Sequence, residues 1–522
     1  MRTDLRSLDS SNPDVLVVGG GIQGAAIARE LALRGRRVVL VEKNDFASGT
    51  STRSSRLVHG GVRYLEQLHI KLVYEALHER ERLLRAAPHL VRPLPMLMPF
   101  FAGGGKSPTL LKLGLRLYGW LAGRSSLPRP RTLGVDECLR RFPGLRRSGL
   151  RGGALYYDAA TEDCRLTLAV LSAAHAAGAV LCNHAEVVGA DATGVRLHDR
   201  VGDAEVSLRP GAVVNAAGPH VDRVRAALGI DGDALVRTSR GSHLVLPPAA
   251  DVETALAAFL SDGRIQFVVP HPRGLLCGTT EVEEAAQGDA PSVPEDDVRY
   301  LLAALAQLLE HPPRRDDVRF AYAGWRALPA TRGPAGALNR EAFVVPEQSP
   351  CGPVHSVVGG KLTTHRAFAE RTVQRMLDVR DPSPSREAPL PGGGGAHEPM
   401  DPLWWRHGSL ASAVRAEAGG ERGLLQPIAP GSDLIGAEVA WAMRRQGAVG
   451  FADLMLRRLF QIDGPLREPA AIDAALDLFS RFRPTSLPPV DLAAERADFA
   501  AEVAAMTGGL AQIDDVSART RS

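Results

Sequence analysis

The chain has 522 residues, 45% of them hydrophobic and 23% charged, which is the composition of a soluble globular protein with two or three domains. Its net charge of +3 argues against nucleic-acid binding, and its five scattered cysteines contain no CxxC pair or other metal-ligand spacing, so we expect free thiols and no metal site. No secretory signal and no stretch of roughly 18 apolar residues is present, so any membrane contact is expected to be peripheral.

A βαβ unit with a glycine-rich turn follows a polar arm, residues 1–13, which we expect to be mobile. The apolar strand Val15–Val18 leads into a helix over Ile22–Arg34 and a second strand that ends at Glu42. The turn carries the GxGxxG glycines Gly19, Gly21 and Gly24. The first glycine permits a tight turn, the second lets a pyrophosphate approach, and the third lets helix and strand pack closely. With an acid that can accept from a ribose hydroxyl, the unit predicts a dinucleotide site and leaves FAD and NAD open.

The segment 44–63 is rich in Ser, Thr and Gly and contains three arginines, which are Arg53, Arg56 and Arg63. Loops of this length in a compact domain usually have a function, so we expect this one to cover a cofactor. A solvated surface loop is the alternative. A strong helical pattern over Tyr64–Ala86 follows.

The segment 107–124 combines Leu and Trp residues with the basic residues Lys112, Arg116 and Arg124. Such a helix can lie in a membrane interface. Its apolar positions nearly surround it, however, so burial inside the fold is an equal alternative.

Strands and helices alternate from Gly152 onward. The strand Ala212–Asn215 ends in small residues, which allow a nucleotide to lie against bare backbone. Further on, the strand Val354–Val358 meets Gly359-Gly-Lys361-Leu-Thr-Thr364, and we predict a helix that starts at this junction and runs to Leu377. This second strand–glycine–helix junction points a helix N-terminus at an anionic group.

The sequence indicates an α/β fold with a Rossmann-like dinucleotide domain, a mixed-sheet substrate domain and a C-terminal all-helical cap. The main unit spans 14–380, with nucleotide-binding segments at about 14–100, 152–240 and 350–380 and substrate-binding segments at about 240–350. Residues 381–401 are rich in Pro and Gly and predict a linker. Residues 402–510 are predicted to form the separate helical domain.

Several motifs together resemble the FAD-dependent glycerol-3-phosphate dehydrogenases. They are DVLVVGGGIQGAAIARELALRG, TSTRSSRLVHGGVRYLE, RGSHLVLP, GTTEVE, AGWRAL and VVGGKLTTHRAFAE, and they occur in the family's order over residues 14–375. HGGVRYLE and GGKLTTHR are the most specific. The chain departs from the family at Pro219-His220, where a Trp is usual, and at Ala327, where a Pro is usual. It shows no long central insertion of the kind that marks the oxygen-using oxidases.

The resemblance implies a glucose/amino-acid-oxidase-like flavoprotein that holds FAD and oxidises sn-glycerol 3-phosphate to dihydroxyacetone phosphate. It further implies a membrane quinone as electron acceptor and a cytoplasmic protein on the inner face of the membrane, and it leaves a homodimer open. The implied cofactor-binding residues are Gly19, Gly21, Gly24, Glu42, Ser51, Ser54, Ser55, Arg56, His59, Gly60, Gly61, Ala217, Gly218, Gly359, Lys361, Leu362 and Thr363.

The substrate is a small dianion, and arginine forks suit its phosphate. We expect Arg63, Arg326 and Arg340 to bind it, with Tyr64 as a hydroxyl donor. The catalytic candidates are His243, Arg326 and Lys361. His243 can act as general base, with His59 as second choice and alkoxide stabilisation by Arg326 as a further alternative. Lys361 can hold negative charge on the flavin.

Two other functions remain open on the sequence alone. One is another FAD-dependent oxidase or dehydrogenase, acting on a 2-hydroxy acid or an amino acid, which would need one arginine rather than several cations. The other is a flavoprotein without catalytic activity, whose helical cap binds a partner. A complete cationic cluster argues against the second alternative, because an inactive site has no need for it.

Overall fold

The computed structural model describes residues 1–66, 69–102, 107–249, 252–271, 274–286, 288–331, 341–398, 400–460 and 468–508. Its α-helices are α1 Ile22–Leu33, α2 Arg63–Glu66, α3 Ile70–Ala86, α4 Pro108–Leu121, α5 Val135–Arg141, α6 Asp163–Ala176, α7 Val221–Ala227, α8 Glu295–Ala306, α9 His365–Leu377, α10 Trp404–His407, α11 Ala411–Ala416, α12 Gly436–Arg445, α13 Pro469–Phe482 and α14 Leu492–Thr507. Its strands are β1 Val15–Val18, β2 Val38–Glu42, β3 Leu57–Val58, β4 Val91–Phe101, β5 Arg131–Leu133, β6 Leu150–Thr161, β7 Val180–Asn183, β8 Ala185–Asp191, β9 Gly194–Asp199, β10 Ala204–Leu208, β11 Ala212–Asn215, β12 Val236–Leu246, β13 Ala255–Phe259, β14 Ile265–His271, β15 Gly274–Gly278, β16 Val282–Glu283, β17 Phe320–Pro329, β18 Phe343–Ser349 and β19 Gly352–Val358.

The first sheet carries the glycine-rich turn. Its six strands lie in the order β18-β19-β11-β1-β2-β7, and all neighbours are parallel except the β18–β19 hairpin. Helix α1 contacts α6 and α9, and these helices share a core with the inward residues of β1 and β2. The opposite face packs against the three-stranded antiparallel sheet β10-β9-β8. Because both faces are covered, the central strands are apolar throughout.

The second sheet forms the floor beside that turn. It has ten strands, in the order β16-β12-β15-β14-β13-β4-β6-β3, with β17 paired to β12 and β5 to β6. Helices α5 and α8 bury one face. Strands β4 and β6 fall within segments predicted to bind the nucleotide, yet they belong to this second sheet, since a twelve-residue β6 pairs with β4 along most of its length.

The C-terminal helices α10–α14 pack on the rest of the chain. A π-helix, Asp453–Arg458, lies between α12 and α13, and the rings of Phe451, Phe479 and Phe499 pack edge-to-face in this region. One continuous apolar core joins α12, α13 and α14 to α3, α4 and the second sheet. The predicted α/β fold with a helical C-terminal part is therefore confirmed.

Two segments that the sequence predicts to be loose are docked instead. In the arm, the Thr3 amide donates to the Leu181 carbonyl, and Leu5 is fully buried under β9 and β10. In the linker, the Ser385 side chain is buried and Leu390 packs into the core of the first sheet. The sequences of both segments are mostly polar and their few apolar residues are isolated, so no periodic pattern indicates that they are docked. Each of the five cysteines is free, as expected.

No helix among the described residues is long and apolar enough to cross a bilayer.

Candidate functional site

One cavity of about 1460 Å³ lies between the two sheets and the C-terminal helices. The glycine-rich turn, the loop after β2, the ends of β11 and β19 and the inner residues of β12 and β17 form its walls. Residues of α14 and of the segment 483–490 close it from the C-terminal side. A cavity of this size accommodates a dinucleotide and a small substrate together.

The glycine-rich turn has the geometry that the sequence predicts. A Cβ on Gly24 would lie 2.0 Å from the Gly19 carbonyl oxygen, and a Cβ on Gly19 would lie 2.5 Å from the Ala216 oxygen. Gly19 also adopts a φ of +114°, which favours glycine. Gly21 precedes the first residue of α1 and lines the cavity together with Ile22 and Gln23, so the N-terminus of the helix lies at the cavity wall. This cradle of bare backbone fits a pyrophosphate.

Glu42 lies at the end of β2 and lines the cavity. Its Oε2 accepts from the Gly20 amide at 2.7 Å, and its Oε1 accepts from the Asn44 amide at 3.0 Å. Burial raises the pKa of this carboxyl, although both amides oppose the shift. The oxygens keep further lone pairs, so the predicted acceptance from a ribose hydroxyl is compatible with these bonds.

The serines predicted to wrap the cofactor all line the cavity, and each already has a structural role. Ser51 Oγ accepts from the Ile22 amide at 3.0 Å and thereby caps α1. Ser54 Oγ accepts from the Arg56 amide at 3.1 Å, and Ser55 Oγ lies 2.9 Å from His243 Nε2. Ala217, Gly218, Gly359, Leu362 and Thr363 also line the cavity.

Two predicted cofactor residues point elsewhere. The Arg56 side chain is buried, contacts His271 and lies over the Phe460 ring at 4.6 Å, outside the cavity lining. Arg56 has a φ of +56°, which turns its side chain away from those of Ser54 and Ser55. Gly60 lies behind the cavity wall, because a Cβ there would meet the Tyr118 hydroxyl at 2.5 Å.

Arg53 is the cation that motif reasoning left without a role. Its side chain lines the cavity although only 7% of the residue is exposed, and its Nε and Nη1 have no hydrogen-bond partner among the described residues. Burial lowers the pKa of this guanidinium to about 10, so it remains charged. A buried guanidinium with two N–H groups that lack acceptors among the described residues calls for an anion. Its presence in the predicted cofactor loop was the available signal.

His243 on β12 is locked in place. Its ring stacks on Tyr322 with centroids 5.0 Å apart, and a Cβ on Gly278 would lie 2.3 Å from its Cδ2. Burial, and then the charges of Arg326 and Arg56, lower the pKa of the ring to about 3. The imidazole is therefore neutral at physiological pH, as a proton acceptor must be, but it is a much weaker base here than a histidine that titrates near neutrality.

Arg326 on β17 lies beside His243 in the cavity wall. Its guanidinium donates to the Thr280 carbonyl at 3.1 Å and to Thr279 Oγ1 at 2.8 Å, and it lies 3.9 Å from Glu281. A Cβ on Gly241 would lie 2.4 Å from Nη2, so the glycine makes room for the fork. These contacts hold the cation in a fixed orientation.

Lys361 and Tyr64 are brought together across the cavity. The Lys361 ammonium lies 3.6 Å from the centre of the Tyr64 ring, a cation–π contact. The helix predicted to begin here starts later, at His365, so residues 361–364 form a turn and the lysine is not at a helix N-terminus. Thr363 Oγ1 accepts from the His59 amide at 3.1 Å, which joins this turn to the 59–64 loop.

Of the remaining site candidates, His59, Arg63 and Arg340, the structure describes the side chain of His59 alone. His59 lines the cavity, with its ring edge-on to Phe267 at 6.2 Å. The backbone of Arg63 opens α2, and its side chain lies outside the described residues. Arg340 also lies outside the described residues.

A buried ionic cluster ties the cavity wall to the C-terminal helices. Asp45, His184 and Asp453 carry oxygens and a nitrogen close enough for a metal ion. However, Arg458 makes a bidentate pair with Asp45 at 2.6 and 2.7 Å, and Arg457 donates to Asp453 at 2.9 Å. The two arginines already balance the carboxylates, so we assign no metal to this cluster.

Comparison with known proteins agrees with this geometry. A family model described as FAD dependent oxidoreductase matches residues 14–366. The chain is 34% identical to glycerol-3-phosphate dehydrogenase 2 of Mycobacterium tuberculosis, over 98% of this chain and 92% of that protein. It is 33% identical to the glycerol-3-phosphate dehydrogenase of Synechocystis, over 85% of this chain and 88% of the other.

Solved structures show the same fold. The glycerol-3-phosphate dehydrogenase from Bacillus halodurans complexed with FAD superposes with a TM-score of 0.76 at 26% identity, over 97% of this chain and 98% of that one. Glycine oxidase from Geobacillus kaustophilus superposes with a TM-score of 0.53 at 20% identity, over 74% of this chain. The latter is a likeness of fold alone.

Proposed function

The chain belongs to the FAD-dependent glycerol-3-phosphate dehydrogenases, and from this premise we propose that it oxidises sn-glycerol 3-phosphate to dihydroxyacetone phosphate. The observation that carries the proposal is the convergence of Arg326, His243, Lys361 and Tyr64 in the cavity that also contains the dinucleotide turn. A dianion with a secondary hydroxyl needs fixed cations and a proton acceptor side by side.

FAD, when bound, supplies the acceptor for the hydride that leaves C2 of the substrate. The glycine turn, Glu42 and Arg53 would hold its nucleotide half, and the 359–363 turn would hold its ring. We also propose that the nucleotide binds at the first sheet and the substrate at the second, in line with the predicted domain division.

The protein residues then hold charge and move one proton. Arg326 presents a rigid fork to anionic oxygen of the substrate, and Lys361 adds a second cation over Tyr64. His243, whose Nε2 faces Ser55 Oγ, accepts the hydroxyl proton. Substrate charge offsets the positive potential of Arg326 and so raises the pKa of the imidazole when it is needed as a base.

The test is steady-state turnover of the FAD-loaded enzyme with a soluble quinone analogue. We expect activity on sn-glycerol 3-phosphate and none on glycerol, L-lactate or glycine. Arg326→Met should lower kcat/KM by roughly a hundredfold with FAD retained. Arg319→Met, an exposed arginine just before the same strand, should leave kcat/KM unchanged. Activity on L-lactate or glycine instead would support the oxidase alternative and refute the proposal.

We further propose that electrons leave to a membrane quinone and that α4 docks on the lipid surface at the inner face of the membrane. One side of α4 is exposed and apolar, with Leu113 63% and Trp120 77% exposed. The exposed bases Lys112 and Arg116 lie on the same helix, and their charge complements an anionic bilayer. Of the two alternatives that the sequence left open, burial applies to the face with Leu115, Tyr118 and Leu121 and does not apply to the face with Leu113 and Trp120.

Flotation on phosphatidylglycerol vesicles tests the docking. The protein should float, and the double change Leu113→Ser and Trp120→Ser should abolish flotation. Leu425→Ser, at an exposed leucine in the C-terminal region, should have no effect. Flotation of the double variant equal to that of the unaltered protein would remove α4 from the docking surface.

A further inference from the structure

The loop 59–64 is held from behind by two buried side chains, Tyr118 and Asp158. His59 and Gly61 line the cavity, whereas Gly60 between them faces the protein interior. The Gly60 amide donates to Tyr118 Oη at 2.9 Å and, more weakly, to Asp158 Oδ1 at 3.2 Å. The tyrosine hydroxyl is the nearer of the two acceptors, so a shift of this hydroxyl moves the loop at Gly60.

That hydroxyl belongs to a buried hydrogen-bond network. Tyr118 Oη donates to Asp158 Oδ1 at 2.6 Å, and Arg80 Nη1 donates to the same oxygen at 2.6 Å. Burial and then Asp158 raise the pKa of the tyrosine well above its usual value, so the hydroxyl keeps its proton. It can thus donate to the carboxylate and accept from the Gly60 amide at the same time.

Tyr118 lies on α4, the helix proposed to dock on lipid. Two residues further on, Trp120 points to the opposite side of the helix, because successive residues are about 100° apart. Leu115, Tyr118 and Leu121 are the buried residues of α4, and of these the tyrosine alone bonds to the 59–64 loop among the described contacts. The helix therefore presents one face to lipid and one hydroxyl to the site.

We propose that Tyr118 is a positioning residue that couples the seating of α4 on an anionic lipid surface to the shape of the 59–64 loop. This inference rests on the proposed function, both for the docking of α4 and for the role of the loop. Lipid that binds one orientation of α4 better than others shifts the protein towards that orientation, and the Gly60–Tyr118 bond carries the shift to His59 and Tyr64. The enzyme should then turn over faster on vesicles than in solution.

The first experiment compares the FAD-loaded enzyme with and without phosphatidylglycerol vesicles, using a water-soluble quinone analogue as acceptor. We expect vesicles to raise kcat/KM for sn-glycerol 3-phosphate roughly three- to tenfold, the range that one hydrogen bond accounts for. Tyr118→Phe should float as well as the unaltered enzyme and lose the stimulation. Tyr300→Phe, which removes a hydroxyl bonded to Asp262 on the surface, should keep it.

The second experiment uses only the unaltered enzyme, so its result does not depend on whether a variant folds. Hydrogen–deuterium exchange of the peptide that covers residues 57–66 should slow when vesicles bind the unaltered enzyme. The β8–β10 sheet, remote from α4, should exchange at an unchanged rate.

Two results would overturn the coupling. One is a rise in kcat/KM on vesicles for Tyr118→Phe that equals the rise for the unaltered enzyme. The other is flotation of the unaltered enzyme with no change in turnover and none in exchange over 57–66. Failure of the proposed function would look different, since then sn-glycerol 3-phosphate would give no turnover under any condition, or the protein would not float.

Discussion

Two glycine-to-alanine changes with opposite expected effects on stability test the packing of the nucleotide turn. Gly24 in α1 has no room for a methyl group, because a Cβ would lie 2.0 Å from the Gly19 oxygen, and contacts under 3.0 Å are essentially never observed. Gly114 in α4 has no atom within 4 Å of a built Cβ. Both residues are helical, so the helix propensity gain of alanine is common to the two changes and the steric clash is not.

The magnitudes follow from those distances. Gly24→Ala must push the start of α1 away from β1 by about 1 Å, and such overpacking costs about 1–3 kcal/mol. The unfolding entropy of a 522-residue chain is about 1.1 kcal/mol per kelvin, so Tm should fall by about 1–3 °C. The displaced helix start should also weaken FAD binding by roughly tenfold or more. Gly114→Ala should raise Tm by about 0.5–1 °C and leave FAD binding unchanged.

Thermal melts and titration of the apoprotein with FAD, followed by flavin fluorescence, measure both effects. FAD affinity in Gly24→Ala equal to that of the unaltered protein would refute the reasoning, because the cradle would then tolerate a side chain. A fall in affinity for Gly114→Ala would show that the readout reports general destabilisation instead.

Further predictions concern buried charges. Arg53→Gln should weaken FAD binding roughly tenfold, since a buried cation facing phosphate is lost; unchanged affinity would remove it from the site. Arg458→Met leaves a buried carboxylate short of a partner, which costs about 3–5 kcal/mol, so Tm should fall by about 4 °C, whereas the exposed Arg481→Met should change it by under about 1 °C. Glu438 has a pKa of about 2 because His407 and Arg406 outweigh its burial. A carboxyl whose pKa is lowered in the folded protein stabilises the fold at pH values above its unfolded pKa of about 4.5. Glu438→Gln should therefore lower Tm by roughly 3 °C at pH 7. Melts between about pH 4.5 and 2 should show that the difference in Tm between the two proteins disappears.

The sequence predicted those parts of the fold in which local pattern and packing agree. Strands β1 and β11 were predicted with the right bounds, α1 to within one residue and β19 to within two, since apolar runs and glycines mark their ends. Strand β4 was missed, because Pro93, Pro95 and Pro99 argue against a strand, yet it pairs with β6 over most of its length. Long-range pairing of this kind leaves no local trace.

Side-chain directions were the least predictable part of the site. His243, Arg326 and Lys361 are in the cavity as predicted, because their motifs fix the backbone around them. Arg56 was assigned to the cofactor from its neighbours in the sequence, but its left-handed backbone turns it towards Phe460. Arg53, three residues earlier, lines the cavity instead; its place in the predicted cofactor loop was a signal for it, but the direction of its side chain could not be predicted from the sequence.

The cofactor, the substrate and the reaction are tested together by an anaerobic titration of the oxidised FAD enzyme with sn-glycerol 3-phosphate, followed by flavin absorbance. We predict that the absorbance near 450 nm bleaches with one equivalent of substrate per flavin, and that dihydroxyacetone phosphate appears in equal amount. An oxidised spectrum that persists in excess sn-glycerol 3-phosphate, in protein that retains FAD, would contradict the proposed function.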